Sequence, residues 1–349
     1  MKILHVVRRY GPVGGMERYV WEITRELAAL GHQVEVVCER CHGEKPMGIA
    51  VHELGEVAPR PRWLSLLRFG RRVAHWLQEN PRPGFVIHSN ERLAAHDVTT
   101  FHGPPFATVR DKPVWKRISL RVAMQFYLER RELSAACYIV PNSMVIHKQL
   151  AHYYPEFAHK LTVPIAPGVA DTPPRSWRPA PLNGGIVGFV GKEWQRKGLP
   201  MVVELVAKLR QERPNLELWV AGPQPQEVQP LFSSWRGGYR LLGWRSDTEY
   251  FSQLDVLIHP AKAEPYGMVI TEAMAARVAV VVSDRCGAAA QVSAESGTVL
   301  PLEAPLDQWV HGVAAQLNRP EAPPQFTRRW REVAQEYETI YALVRTTAQ

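Results

Sequence analysis

Nothing in this 349-residue sequence approaches the roughly 20 consecutive apolar residues that a membrane-spanning helix needs. The opening Met1-Lys2-Ile3-Leu4-His5-Val6-Val7 turns polar too soon for a secretory leader. It reads as a first buried strand, and a cytosolic chain is expected. Cysteine is scarce, and Cys38, Cys41, Cys137 and Cys286 make no disulfide framework in a chain of this size. Cys38 and Cys41 have C-x-x-C spacing, but a zinc site would need a second pair and none exists. Free thiols at a strand end are therefore expected. A D-x-D carboxylate pair, a common device for holding a divalent ion, is also absent, and no metal is expected. Repeats, low-complexity tracts and recognised nucleic-acid-binding motifs are missing too, which excludes solenoids and argues against nucleic acid as a partner.

The composition, 46% hydrophobic and 22% charged, is ordinary for a globular protein, and the length allows two cores. Charge is not evenly spread. Residues 1–168 carry 23 Lys and Arg against 15 Asp and Glu, whereas the remainder carries 19 of each. An anionic partner, nucleic acid or an anionic membrane surface, is the obvious reading for the first half alone.

Short apolar runs alternate with amphipathic stretches throughout. The first half has Ile3–Val7, Val34–Cys38, Phe85–His88, Val98–Phe101, Tyr138–Val140 and Leu161–Ile165. The second has Ile186–Val190, Leu216–Ala221, Tyr239–Leu242, Val256–His259, Val278–Ser283 and Thr298–Leu300. Between them, segments such as Met16–Leu30, Leu199–Gln211 and Val269–Ala276 have helical periodicity. This alternation predicts an α/β protein with two doubly wound parallel sheets flanked by helices. Pro167–Pro181, with five prolines, reads as the linker between an N-terminal domain at 1–168 and a C-terminal domain at 169–327. A last helix within 328–349 is expected to pack back on the first domain.

The clearest local pattern is Glu264-Pro265-Tyr266-Gly267-Met268-Val269-Ile270-Thr271-Glu272, following an apolar run and opening a helix. The amides of Gly267, Met268 and Val269 would be first-turn donors able to take a phosphate. Glu272, a turn further in, suits the vicinal hydroxyls of a ribose, and Glu264 would face a sugar attached to that phosphate. Read alone, Glu264 could equally be a loop acid and Glu272 a solvated helix residue.

This E-x7-E pattern resembles the signature of glycosyltransferase family 4. Gly14-Gly15-Met16-Glu17-Arg18 resembles that family's glycine loop after the first strand. Gly188-Phe189-Val190-Gly191-Lys192-Glu193-Trp194-Gln195-Arg196-Lys197 resembles its cationic loop. Family members usually have an arginine at the position of Lys192 and a lysine at that of Lys197; here an arginine stands at Arg196 instead, as in a subgroup resembling lipopolysaccharide core glucosyltransferases. Cys286-Gly287-Ala288-Ala289-Ala290 and Ser296-Gly297-Thr298-Val299 resemble that subgroup too.

The resemblance covers nearly the whole chain. It implies a GT-B fold, two Rossmann-like domains facing a central cleft, and a retaining hexosyltransferase with front-face attack. It implies Arg196 and Lys197 as diphosphate ligands, Glu264 and His102 near the transferred sugar, and Gly14, Gly15, Gly267, Met268, Val269, Glu272 and Arg245 around the nucleotide. Ser143 occupies another family-like strand end. No cofactor is implied beyond a nucleotide-diphosphate sugar, UDP-glucose first, as co-substrate; the cations stand in for a metal ion. The acceptor is expected to be lipopolysaccharide core or a similar lipid-linked or phosphorylated saccharide. A GDP-mannose or UDP-N-acetylglucosamine enzyme of capsule or exopolysaccharide synthesis, or a non-catalytic nucleotide-sugar binder, is the alternative. Arg60–Arg82 and Asp111–Arg131 interleave basic, aromatic and apolar residues and suit an anionic membrane surface. Peripheral attachment to the inner face of the plasma membrane is therefore expected; packing of those helices on their own domain is the plainer alternative.

Overall fold

Alternation of buried strand and amphipathic helix builds two separate parallel sheets in the computed structural model, which describes residues 1–245 and 249–347. The chain divides into two units, Met1–Gly168 with Arg329–Gln349, and Val169–Arg328.

In the first unit, β1 (Lys2–Val6), β2 (Gln33–Cys38), β3 (Ile49–Glu53), β4 (Phe85–Ser89), β5 (Val98–Phe101) and β6 (Tyr138–Pro141) pair in the order β3-β2-β1-β4-β5-β6, all parallel. Central parallel strands are covered on both faces, which is why β1 is an apolar run rather than an alternating one. Its Ile3, Leu4 and Val6 are fully buried. Helices α1 (Gly15–Ala29), α2 (Arg62–Glu79), α3 (Leu120–Ala135) and α4 (Met144–Tyr153) connect and flank the strands.

The second unit repeats the plan. Strands β7 (Gly184–Val190), β8 (Asn215–Ala221), β9 (Tyr239–Gly243), β10 (Val256–His259), β11 (Ala279–Ser283) and β12 (Gly297–Leu300) run β9-β8-β7-β10-β11-β12, again all parallel. Its helices include α5 (Leu199–Leu209), α6 (Met268–Ala275) and α7 (Leu306–Leu317). Val187, Phe189, Val256, Ile258 and Val281 of the strands pack with Val202, Val206, Trp309 and Val313 of α5 and α7 into one core. Part of the proline-rich segment is fastened to this unit: Arg175 pairs with Asp255 at 2.9 Å, both side chains nearly fully buried.

The chain then returns. Helix α8 (Trp330–Thr347) lies in the first unit, packed on α1, and a buried polar network holds it there. The Tyr337 hydroxyl is 2.8 Å from Thr100 Oγ1 and 3.0 Å from the Tyr19 hydroxyl. His88 links Thr100 at 2.8 Å to the Tyr341 hydroxyl at 2.7 Å. Each buried polar atom so paired avoids a desolvation penalty, which ties α8 to one position on the sheet.

Two expectations need correction. Ile49–Glu53 is a sheet strand the apolar pattern did not reveal, because this edge strand buries only Ile49. Leu161–Ile165 is not a strand: it makes a single bridge through Leu161, and Val163 is 81% exposed. In the Arg60–Arg82 segment the plainer alternative fits, because the apolar side chains are covered by their own domain while basic ones stay exposed. Its helix α2 turns Leu66, Phe69 and Val73 onto Leu4, Val6 and Val37 of its own sheet, and Trp76 stacks under Arg82.

Changing Tyr337 to Phe leaves the Thr100 and Tyr19 hydroxyls short of a partner. Urea unfolding is expected to show a loss of about 1–3 kcal/mol. A change within a few tenths would mean the network contributes nothing.

Candidate active site

In a sheet of this strand order, the chain leaves the first and fourth strands in opposite directions, opening a crevice beyond their carboxyl ends. In the second unit those strands are β7 and β10, which pair directly. The loop after β7 carries Arg196 and Lys197; the loop after β10 carries Glu264.

These side chains meet. Oε2 of Glu264 lies 3.0 Å from Lys197 Nζ, 3.5 Å from an Arg196 guanidinium nitrogen and 3.5 Å from His259 Nε2. The carboxylate is 11% exposed, Lys197 13% and Arg196 36%. Burial alone would raise the Glu264 pKa, but the His259 ring and the charges of Lys197 and Arg196 override it and hold the group at about 2. Arg196 also reaches the Ala263 carbonyl and the Glu193 carboxylate, so its fork is held over this loop.

The local sequence makes that approach possible. Gly191 has φ +149°, and a Cβ there would overlap the stem of Lys197. A side chain at that position would push the ammonium out of the crevice. Gly267 starts α6 at φ +96°, where a Cβ would come within 3.1 Å of Glu264 and 3.0 Å of Ile270. The Met268 and Val269 amides sit in the first turn, where a helix offers no internal acceptor, and both residues are only half-buried. A second loop braces the first: the Glu264 amide donates to the Arg285 carbonyl, and the Gly287 amide donates to the Glu264 carbonyl, at 3.1 and 3.0 Å.

Arg196, Lys197, Glu264, Gly267, Met268 and Val269 therefore share one crevice. Glu272 lies a turn deeper in α6 and is 9% exposed. Lys192 does not join the cluster but rides 5.2 Å over the exposed ring of Trp244, beside Arg245 at the end of β9. The residues that follow, 246–248, are outside the described ones.

In the first unit, Gly14 is the residue before α1 and Gly15 its first residue. The start of that helix already faces a carboxylate: Glu17 lies in its first turn, nearly buried and paired with Arg9. His102 follows β5. Its Nε2 is 2.9 Å from Asn90 Oδ1, and its ring meets the Tyr19 ring edge-on at 4.6 Å. Burial lowers its pKa to about 3, so the ring is neutral near pH 7. Ser143 caps α4, accepting from the Ile146 amide at 3.3 Å. Cys38 is buried at the end of β2, and burial pushes its thiol up to about 12, which leaves it unreactive.

Sequence reading missed His259. Within Val256–His259 it counts as the polar end of an apolar strand, a position more often structural than functional. Its place immediately before the Pro260 turn and five residues ahead of Glu264 was the available signal.

A model described as Glycosyltransferase Family 4 matches residues 13–172, and one described as Glycosyl transferases group 1 matches residues 184–318. The chain is 26% identical over 328 residues to the lipopolysaccharide glucosyltransferase WaaG of Escherichia coli, covering 86% of this chain and 85% of that protein. The crystal structure of WaaG, a glycosyltransferase involved in lipopolysaccharide biosynthesis, superposes with a TM-score of 0.75 at 21% identity, covering 99% of this chain and 98% of the other. The structure of Anabaena HepE in complex with UDP-glucose gives a TM-score of 0.66 at 16% identity, covering 100% and 99%.

The depressed pKa of Glu264 has a thermodynamic sign. Its ion pairs stabilise the fold fully above the ordinary carboxyl value of 4.5, and that stability fades as pH falls towards about 2. The stability difference between wild type and Glu264→Gln should be constant above about pH 5 and move against the wild type below it. A difference that stays flat from about pH 6 to 3 would contradict this charge balance around Glu264.

Proposed function

We propose, from the premise that this chain belongs to the family 4 glycosyltransferases, that it moves glucose from UDP-glucose onto a lipopolysaccharide core or similar lipid-linked saccharide, with retention and without a metal ion. The chain is a GT-B glycosyltransferase. The observation that carries the proposal is the convergence of Arg196, Lys197 and Glu264 at the start of α6.

A nucleotide sugar already has a good leaving group, so catalysis consists largely of stabilising the departing diphosphate and aligning the acceptor. Two cations and a helix N-terminus do the first, and their fixed charge serves where other transferases use a divalent ion. Glu264 is ionised at every physiological pH and offers its second oxygen to sugar hydroxyls. The other carboxylate of the ion-pair cluster, Glu193, is 66% exposed and tied to Arg196. No enclosed carboxylate therefore accompanies Glu264 in that cluster among the described residues to serve as a nucleophile, which favours front-face attack with the leaving phosphate oxygen taking the acceptor proton. In this reading His102, neutral and fixed by Asn90, lies near the transferred sugar as a hydrogen-bonding group rather than an acid. The glucosyl donor is supported by the likeness to the lipopolysaccharide glucosyltransferase WaaG and to HepE, whose structure holds UDP-glucose.

Attachment to an anionic membrane face is favoured by one segment. Residues 111–121 are exposed throughout, with Trp115 76%, Ile118 76% and Leu120 70% exposed among Lys112, Lys116, Arg117 and Arg121. Among the described residues no helix is long and apolar enough to cross a membrane, so this would be surface binding. Aromatic and apolar side chains would enter the headgroup region, each cation adding about 1 kcal/mol near an anionic leaflet.

With UDP-glucose and a lipid-linked acceptor, Lys197→Ala and Arg196→Ala should each lower kcat/KM by about a hundredfold to a thousandfold. Loss under about threefold for both would remove the diphosphate assignment. In flotation, wild-type protein should rise with vesicles containing phosphatidylglycerol, and the double variant Trp115→Ala, Ile118→Ala should stay behind. Equal flotation of the two would place membrane binding elsewhere.

A further inference from the structure

His259 ends β10 with no exposed surface, and neither ring nitrogen has a hydrogen-bond partner among the described residues. Its Nε2 stands 3.5 Å from Glu264 Oε2, at the outer limit for a hydrogen bond, and its ring lies nearly parallel to Phe189 at 6.4 Å. Burying an idle polar group costs free energy. A donor that meets a buried carboxylate only through this long contact helps to hold its charge without forming a full hydrogen bond, and calls for a state of the site in which that bond closes.

The ion pairs supply that state. Lys197 at 3.0 Å and Arg196 at 3.5 Å converge on the same Glu264 oxygen that faces His259. A doubly anionic diphosphate offers more charge and more acceptor atoms than one carboxylate, so it draws both cations towards itself. Glu264, only 11% exposed, is then left with His259 alone of the three groups that kept it ionised. A buried carboxylate in that position either takes up a proton or finds another donor.

We propose that His259 is a positioning residue that becomes the donor to Glu264 when a nucleoside diphosphate engages Arg196 and Lys197. This rests on the donor-site reading above and adds the group that keeps Glu264 charged and oriented while the donor is bound. Burial holds the imidazole below its ordinary pKa, against the pull of Glu264, so it carries a single N–H. The tautomer with that hydrogen on Nε2 is the one that serves. A neutral donor also does not compete with Lys197 for the diphosphate. Two neighbours of the Glu264 carboxylate are committed elsewhere. Burial pushes the Cys286 thiol up to about 11, and its sulfur contacts Ser283 and the His259 carbonyl. The amide and carbonyl of Glu264 are already engaged with Arg285 and Gly287.

The test is kcat and KM for UDP-glucose across pH in full-length wild type, His259→Gln and His259→Phe, with thermal unfolding and UDP binding recorded for each. His259→Phe should lower kcat by about tenfold to a hundredfold, change KM by less than about threefold, and shift the acid limb of kcat up by about one pH unit. His259→Gln keeps an N–H donor and should restore most of both. Equal losses in the two variants, or a fall in kcat with no movement of the acid limb, fit mere packing and overturn the proposal. Should His259→Phe fail to fold, imidazole nitrogen NMR of the wild type, assigned with His259→Gln, decides instead. On saturation with UDP the His259 Nε2 signal should move to that of a hydrogen-bonded donor; an unmoved signal overturns this inference alone. Failure of wild type to bind UDP overturns the donor-site reading and this inference with it.

Discussion

A carboxylate enclosed beside an ammonium and a guanidinium is stable only while their charges balance, and much of the second unit serves that balance. The strand order brings the ends of β7 and β10 together, so loops far apart in sequence place Lys197 and Glu264 within 3.0 Å. Gly191 clears the path for the lysine stem, Gly267 turns the chain into α6 beside the carboxylate, and the Cys286 loop fixes the backbone of Glu264 from below. The arrangement is self-neutralising when empty and offers cations to any anion that competes better than a carboxylate does. A diphosphate bound there would have to break these ion pairs, so occupied and unoccupied forms of the site would differ in side-chain contacts rather than in fold.

The first unit follows the same strand order but develops it differently. The start of α1, which could receive an anion, already faces the Glu17 carboxylate and its partner Arg9. What this unit fixes most firmly is its own closure: α8 returns from beyond the second unit and is keyed to the sheet by tyrosine hydroxyls, Thr100 and His88. Tyr19 belongs to that network and also packs edge-on against His102, so the last helix and the histidine after β5 share a support.

Much of this was readable from sequence where one physical rule acted alone. Strands covered on both faces, such as β1 and β11, are apolar runs, and helix starts with glycine and a following apolar stripe announce themselves. β3 escaped because an edge strand with one buried residue has no such run. Leu161–Ile165 misled because its apolar residues include the exposed Val163 and because Pro164 lacks a ladder donor. The E-x7-E spacing located Glu264, yet spacing does not report which oxygen meets which cation. The stacking of Lys192 over Trp244 and the burial of His259 beneath Glu264 depend on chain segments dozens of residues apart or on burial itself. The basic character of residues 60–82 and of residues 111–131 looks alike in sequence; only packing separates a helix with its apolar face covered from a segment with its apolar residues in solvent.

The measurement closest to the central claim is calorimetric titration with UDP and with UMP under the same conditions. If Arg196, Lys197 and the start of α6 grip the pyrophosphate, UDP should bind at least about tenfold more tightly than UMP, and the gap should narrow as salt is raised. Equal affinities for the two nucleotides, insensitive to ionic strength, would contradict the account.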